Sequence, residues 1–361
     1  METKNRTLED LRDGIDSIDL QIMELLNKRA ALVIEVGKVK ARERKEFYVP
    51  DREREVLKRL TDSNKGPFPN QALKNVFREI MSASLSLEKP LKIAFLGPAA
   101  TFTHQACMQH FGLSGDFVAK KDIADVFDDV EKGRADFGVV PIENSTEGVV
   151  SHTLDKFVNS NLKICAEVML EISHALLNRS GKSSDIAKVC SHPHALAQCK
   201  NWVKNNLPNA LVFDVSSTAM AAQMASEDPS TAAIASVAAA TLYGLQVIEK
   251  NIEDNSNNYT RFLVICKSEA KRTGNDKTSV VFAIKDSPGA LYSMLKPFAL
   301  RGINLTKIES RPIKTKAWEY LFFVDLDGHI TDRPVKEAVD ELEKSCSFLK
   351  VLGSYAKSQQ V

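Results

Sequence analysis

The sequence predicts a multidomain chain in which an all-α domain, an α/β domain and a βαββαβ unit follow one another. Three observations carry that reading. Apolar residues recur at three- and four-residue spacing through residues 1–90. From Leu91, short apolar runs alternate with helical segments and end in Ser/Thr/Asn/Gly turns, the texture of layered α/β structure. Beyond a polar linker, Ser268–Lys277, the order becomes strand, helix, strand, strand, helix, strand. The expected domains are 1–90, 91–267 and 278–361.

In the first domain a seam runs Leu8, Leu11, Ile15, Ile18, Ile22, Leu25, Leu32, Val36 and Val39. Continued to about Arg44, it predicts a helix about 55 Å long. Two shorter helices, about Asp51–Thr61 and Asn70–Leu87, are split by Gly66-Pro67 and cannot cover that seam. The expectation is a homodimer, or a dimer of dimers, in which long helices pack on each other.

In the second domain, strands are expected at Lys92–Leu96, Phe137–Val140, Ile164–Leu177, Lys188–Ser191, Leu211–Val215, Ala232–Ala235 and Arg261–Lys267. Their pattern is that of an open sheet with its ligand beyond the strand ends. The third domain reads as strand Ser279–Lys285, helix Gly289–Leu300, strands Asn304–Pro312 and Trp318–Asp325, helix Pro334–Lys344 and strand Phe348–Ser354.

Composition narrows the function. A formal net charge of +1 on 361 residues, 43% hydrophobic and 26% charged, argues against nucleic acid or membrane as a main partner. No apolar run approaches the roughly 20 residues that span a bilayer, and Met1–Asn5 lack the apolar core of a signal peptide. Six cysteines without a C-x-x-C pair read as free thiols. A cytoplasmic protein without metal or cofactor is expected.

Arg29 breaks the seam at an apolar position, and arginine is rarely buried without an anion. Lys40 lies on nearly the same face, about 16 Å along the axis, so both side chains can converge on one small anion. Arg12, about 25 Å before Arg29, could reach that site only from an antiparallel partner helix. Arg52 and Glu53 open the second helix. In the α/β domain, small polar residues fill the loops 97–103, 143–148, 191–194 and 216–218. Each loop precedes a helix, where hydroxyls and N–H groups suit a carboxylate ligand, although each is also an ordinary cap.

Leu11-Arg12, Glu35-Val36-Gly37-Lys38-Val39-Lys40, Asp51-Arg52-Glu53-Arg54 and the run Phe77–Ser84 resemble the all-helical chorismate mutases, across Leu8–Glu88. The resemblance implies that Arg29 and the partner chain's Arg12 hold the two carboxylates of chorismate. Lys40 and Glu88 would hydrogen-bond the ether oxygen, Glu53 the ring hydroxyl, and Arg52 and Ser84 would line the pocket. The rearrangement to prephenate is unimolecular, so catalysis means confinement plus stabilisation of charge on one oxygen. Some members carry Gln at position 88; a carboxyl group donates to that oxygen only when protonated.

The runs Val140–Ser145, Ser191-His192-Pro193 and Asn257-Asn258-Tyr259-Thr260-Arg261-Phe262 resemble the prephenate dehydratases, from about Leu91 to Lys267. This implies two α/β lobes around a cleft, as in periplasmic binding proteins, and loss of hydroxide and carbon dioxide from prephenate to give phenylpyruvate. Thr260 would donate to the leaving hydroxyl. Asn144, Ser145, Thr101 and Ser217 would bind substrate, and Arg261 would hold a carboxylate or orient its loop. His104 and His192 are further candidate acids. Ala100 stands where these enzymes usually have Gly, and a positive φ there would cost about 1 kcal/mol.

Gly289-Ala290-Leu291 and the segment Asn304–Pro312, containing Glu309-Ser310-Arg311-Pro312, resemble an ACT domain. That implies a ferredoxin-like unit binding L-phenylalanine through Gly289, Ala290, Leu291, Asn304, Glu309 and Ser310, and so inhibiting the dehydratase. The whole chain is similar to the bifunctional chorismate mutase–prephenate dehydratases of phenylalanine biosynthesis. A non-catalytic aromatic-acid sensor and an arogenate-preferring dehydratase are the alternatives. The retained Thr260 and the set Arg12, Arg29, Lys40, Arg52 and Glu53 argue against the first.

Overall fold

A computed structural model describes residues 6–43, 48, 50–284, 287–312 and 320–358. The expected element ends at Arg44, Lys285 and Trp318 lie outside the described residues. Two compact units emerge, Met1–Leu91 with Phe111–Asp116, and Lys92–His110 with Phe117–Val361.

The first unit contains α1 (Leu8–Glu43), α2 (Pro50–Ser63) and α3 (Asn70–Glu88). Thr7 starts α1 by a reciprocal cap. Its hydroxyl accepts the Asp10 N–H at 3.1 Å, and the Asp10 carboxylate accepts the Thr7 N–H at 2.9 Å. Against α3, the close approach is at Gly37, the buried residue of α1. A Cβ there would lie 3.2 Å from the Glu88 side chain. The apolar seam of α1 stays bare: Leu8 is 65% and Leu32 64% exposed, with Ile15, Ile18, Ile22 and Leu25 also exposed.

In chain order the second unit continues with β1 (Lys92–Leu96), α4 (Phe102–Phe111), β2 (Asp116–Lys120), α5 (Ile123–Glu131), β3 (Phe137–Asn144), β4 (Gly148–Val149), α6 (Ser151–Asn159) and β5 (Lys163–Glu171). Next come β6 (Ala175–Asn178), β7 (Lys188–Ser191), α7 (Pro193–Gln198), α8 (Lys200–Asn206), β8 (Leu211–Asp214), α9 (Thr218–Glu227), β9 (Thr231–Ala235), α10 (Val237–Tyr243), β10 (Gln246–Lys250) and β11 (Tyr259–Cys266).

These strands form two sheets rather than one open sheet. The first has the order β2-β1-β3-β11-β5, with β4 on β3, and the second the order β10-β6-β9-β7-β8. The expected single strand Ile164–Leu177 is therefore two. It stops at Glu171, crosses at Ile172-Ser173-His174 and resumes at Ala175 in the other sheet. Residues 251–258 carry the chain back, so that β11 runs antiparallel between β3 and β5. β2 and β10 were not expected from the sequence. Both are edge strands without a fully buried residue, so their apolar alternation is weak. The second sheet is covered by Ala221, Ala222 and Ala225 of α9, whose small side chains let the helix lie close on Ala233 and Ala235.

The last elements are β12 (Asp276–Ile284), α11 (Ala290–Leu300), β13 (Leu305–Pro312), β14 (Tyr320–Asp327), α12 (Arg333–Glu343) and β15 (Phe348–Ala356). They make a βαββαβ unit whose antiparallel sheet has the order β13-β14-β12-β15. Its own core holds Phe282, Phe298, Val324, Val339 and Leu342. The opposite side joins the core of the first sheet: Val281, Phe323, Leu352 and Tyr355 pack with Val140, Phe157, Ile164 and Leu263. At Gly353 a Cβ would collide with the backbone of Ile164, so β15 and β5 touch main chain to main chain. The Lys350 ammonium donates to the carbonyls of Phe157 at 2.9 Å and Val158 at 3.3 Å, where the C-terminal end of α6 offers unpaired oxygens.

Candidate functional site

In the helical unit, α1 and α3 bring together four of the seven expected residues. Arg29 donates to the Ser84 hydroxyl, which in turn donates to the Ile80 carbonyl at 2.6 Å. Lys40 pairs with Glu88 at 2.8 Å. Arg29, Ser84, Lys40 and Glu88 thus form two rungs between the helices, both at least half buried. Glu53, on α2, is half-buried. Burial pushes its carboxyl up to about 7, while Arg78 and Arg54 pull the other way. Arg52 is exposed and pairs with Glu55 at 3.1 Å. Arg12 is exposed on α1, away from the two rungs.

In the α/β part, β3 and β11 put Asn144 directly opposite Thr260. The Asn144 side-chain oxygen accepts the Thr146 and Glu147 N–H groups, both at 2.9 Å, which fixes which way the amide points. Its nitrogen then donates to the Thr260 hydroxyl at 2.8 Å and to the Asn258 oxygen at 2.8 Å. With its oxygen already accepting, the Thr260 hydroxyl keeps its own proton for another partner. Among the described residues it donates to none.

The buried Asn258 carries this network to the end of α7, donating to Gln198 Oε1 at 2.9 Å. The buried His174 lies 2.9 Å from the same oxygen, so its Nε2 carries the proton. Gln198 and His174 were missed from the sequence. Asn258 was legible only as part of a motif.

The other expected residues hold loops. Ser145 bridges to the returning chain, accepting the Tyr259 N–H at 2.9 Å and donating to the Asn257 carbonyl at 3.2 Å. Thr101 and Ser217 cap α4 and α9, Ser217 accepting the Met220 N–H at 3.0 Å. Ala100 has φ of 63°, the left-handed region doubted from the sequence. His104 Nδ1 accepts the Ala100 N–H at 3.1 Å, and its ring stacks on Phe95. Burial lowers its pKa, and that of His192, which caps α7. Both are then neutral at neutral pH and poor proton donors. Glu143 is pushed up by burial, but Lys307 and Arg261 outweigh that and hold it below the usual carboxylate range.

Arg261 is 4% exposed. It neighbours Thr260 on β11 and therefore points to the opposite face. Its guanidinium donates to Glu167 at 2.7 Å, Asp325 at 2.5 Å, Glu143 at 3.2 Å and the Tyr355 hydroxyl at 2.8 Å. Each of these four bonds ends on a protein group.

In the βαββαβ unit, Gly289 caps α11 with φ of 76°, and Ala290 and Leu291 begin that helix. They follow the end of β12 where Ile284 and Pro312 both pair with Tyr320. Glu309 and Ser310 are near that end of β13. Asn304 is at the other end of β13, donating to Asp327 at 3.4 Å. A strand length, about 20–25 Å, separates it from Gly289.

Residues 11–89 match the chorismate mutase type II family, residues 93–270 the prephenate dehydratase family and residues 278–344 the ACT domain. A bifunctional chorismate mutase/prephenate dehydratase from Aquifex aeolicus is 50% identical over 355 residues, covering 97% of this chain and 98% of that protein. One from Neisseria gonorrhoeae is 45% identical over 358 residues at the same coverage. Among solved structures, prephenate dehydratase from Arthrobacter aurescens in complex with L-Phe is 40% identical. It covers 74% of this chain and 90% of that one, with a TM-score of 0.69. The chain is thus an enzyme with a helical mutase domain, an α/β dehydratase domain and a C-terminal ACT domain. It belongs to the bifunctional chorismate mutase/prephenate dehydratase family. Among the described residues no helix is long and apolar enough to cross a membrane.

Proposed function

We propose that this chain rearranges chorismate to prephenate and then converts prephenate to phenylpyruvate, with L-phenylalanine acting back through the ACT domain. The observation that carries the second step is the Thr260 hydroxyl, which accepts from Asn144 and keeps a free proton. Departure of the ring hydroxyl needs a donor, and carbon dioxide leaves as the ring becomes aromatic. A threonine hydroxyl is too weak an acid to transfer its proton outright early on. Its hydrogen bond strengthens as the leaving oxygen gains charge, which lowers the barrier. The two sheets, joined by two crossings, act as lobes of a periplasmic-binding-protein-like domain, and prephenate lies between them.

For the first step, Arg29 and Lys40 supply fixed positive charge along one face of α1. Arg29 holds a carboxylate, Lys40 and Glu88 attend the ether oxygen, Glu53 takes the ring hydroxyl, and Arg52 and Ser84 line the pocket. The bare seam of α1 and the distance of Arg12 from the rungs favour a homodimer in which the partner's helix covers the seam and donates its arginine. A dimer also suits the ferredoxin-like ACT domain. Gly289–Leu291 and Asn304 lie too far apart to touch one phenylalanine within a chain, so two copies complete the effector site. All six cysteines are free thiols, which suits a reducing cytoplasm.

The test is to supply purified protein with chorismate, follow prephenate, and then detect phenylpyruvate by its absorbance. Both products are expected, with only the second suppressed by added phenylalanine. Binding of chorismate and prephenate without turnover would establish a sensor instead, and turnover of arogenate in preference to prephenate would reassign the second substrate.

A further inference from the structure

We infer that Arg261 and Glu143 are positioning residues that hold Thr260 and Asn144 from behind, and that the ACT domain anchors them; this rests on the dehydratase reading above. Two neighbouring rungs of the β3–β11 pair carry the case. On one, Asn144 faces Thr260, and on the next, Glu143 faces Arg261. Successive residues of a strand point to opposite faces. One rung therefore presents the reacting hydroxyl, and the adjacent rung presents an ion pair to the ACT domain.

That domain surrounds the pair. Asp325 of β14 and the Tyr355 hydroxyl of β15 take two of the Arg261 bonds, and Ser279 of β12 donates to Asp325 and joins Tyr355 at 2.6 Å. Lys277 pairs with Glu167 at 2.9 Å, and Lys307 pairs with Glu143. Three cations, Arg261, Lys277 and Lys307, face three carboxylates, Glu143, Glu167 and Asp325. Charges this buried persist only when every partner is in place, so small displacements are resisted. Lys307 is on β13, the strand that also carries Glu309 and Ser310. Any shift of that strand pulls on Glu143, whose chain neighbour Asn144 orients Thr260. The path is short and covalent at both of its ends, and the catalytic strands have no other polar anchor of this size among the described residues.

The experiment uses the full chain and three variants: Arg261→Lys, Tyr355→Phe and Lys307→Gln. Each is assayed for prephenate turnover, for phenylalanine inhibition and, as an internal measure of intact protein, for chorismate turnover. Misplacing a reacting group by about 1 Å costs on the order of 100-fold. Arg261→Lys is therefore expected to lower the dehydratase kcat about 10- to 100-fold, with KM for prephenate within about threefold. Tyr355→Phe, which removes a single oxygen atom, should lower kcat in the same sense, by several-fold. Lys307→Gln should raise the phenylalanine concentration for half-inhibition at least about fivefold, the lower range of ordinary allosteric coupling. Chorismate turnover should stay as in the unmodified chain.

A raised KM at unchanged kcat in Arg261→Lys would overturn the inference and make Arg261 a substrate ligand. Normal kcat in Tyr355→Phe together with normal inhibition in Lys307→Gln would also overturn it, and this pair decides the matter if Arg261→Lys does not fold. Failure of the unmodified chain to turn over prephenate would instead sink the dehydratase reading, and the two failures are distinguishable.

Discussion

At the scale of single residues, Thr260 and Glu53 make opposite demands on their surroundings. Thr260 needs its proton free, and Asn144 ensures this by occupying the oxygen. Thr260→Val and Thr260→Ala should lower the dehydratase kcat by about 10²–10³ with little change in KM, whereas Thr260→Ser should keep much of the rate. Steady-state kinetics on prephenate decides; near-normal kcat in Thr260→Val would make the residue a packing group. Glu53 is the reverse case, a carboxyl that burial keeps protonated up to about 7 against an ordinary 4.5. A group with a raised folded-state value lends its full stability below about 4.5 and loses it as pH rises through about 7. The urea midpoint of the protein should fall over that interval, and Glu53→Gln should flatten the fall. Glu88 poses a third question, since its carboxyl pairs with the very lysine expected beside it at the ether oxygen. Glu88→Gln replaces that ion pair with a permanent donor and should keep mutase turnover, whereas Glu88→Ala, which offers no donor, should lose most of it. Equal mutase rates in the two variants would dismiss Glu88 as donor.

Secondary-structure elements were legible where their apolar pattern was long or their caps explicit. The periodicity of α1 located a helix that runs Leu8–Glu43, and the strand–helix order of the ACT domain could be read directly. Where burial is shallow the signal faded, as for β2 and β10. Where burial is continuous the signal misled: an unbroken apolar run reads the same whether the chain goes straight or, as at Ile172-Ser173-His174, changes sheet. The site was legible by the same logic. Thr260 and Asn144 belong to local motifs. The partners of Arg261 lie 94, 118 and 64 residues away, at Glu167, Glu143 and Asp325; of these only Glu143 belongs to a motif, and no local pattern announces the pairing. Gln198 is a polar residue in a short helix and looks like any other. Although α1 packs on α3, its apolar seam stays exposed, and that bare face predicts shared mutase sites. Arg12→Ala and Arg29→Ala should each abolish mutase turnover, and mixing the two proteins under conditions of subunit exchange should restore part of it. No recovery after proven exchange would mean that each chain builds its site alone.

At the scale of the whole second unit, the sequence marks a linker that the packing does not honour. Residues 268–277 look like a linker, yet Leu352 and Tyr355 from beyond it lie in the core of the first sheet, and Tyr355 is fully buried. Removing everything after Lys271 would take Asp325 and Tyr355 from Arg261 and Lys277 from Glu167, and would open that core; loss of one partner from a buried ion pair typically costs about 3–5 kcal/mol. A chain ending there is expected to aggregate or melt early, so it would report on folding more than on regulation. Cutting is a different operation from removing. Lys271 and Arg272 are exposed, and trypsin should open the chain there while both pieces stay together through size-exclusion chromatography. Separation of the pieces would show the docking to be weak. The main-chain contact at Gly353 gives this a further reach. Because that surface needs no covalent tether, residues 1–271 and 272–361 produced together as two polypeptides should recognise each other and reassemble, a split protein whose halves share one apolar core, one ion cluster and, at Gly353, a contact that leaves no room for a side chain.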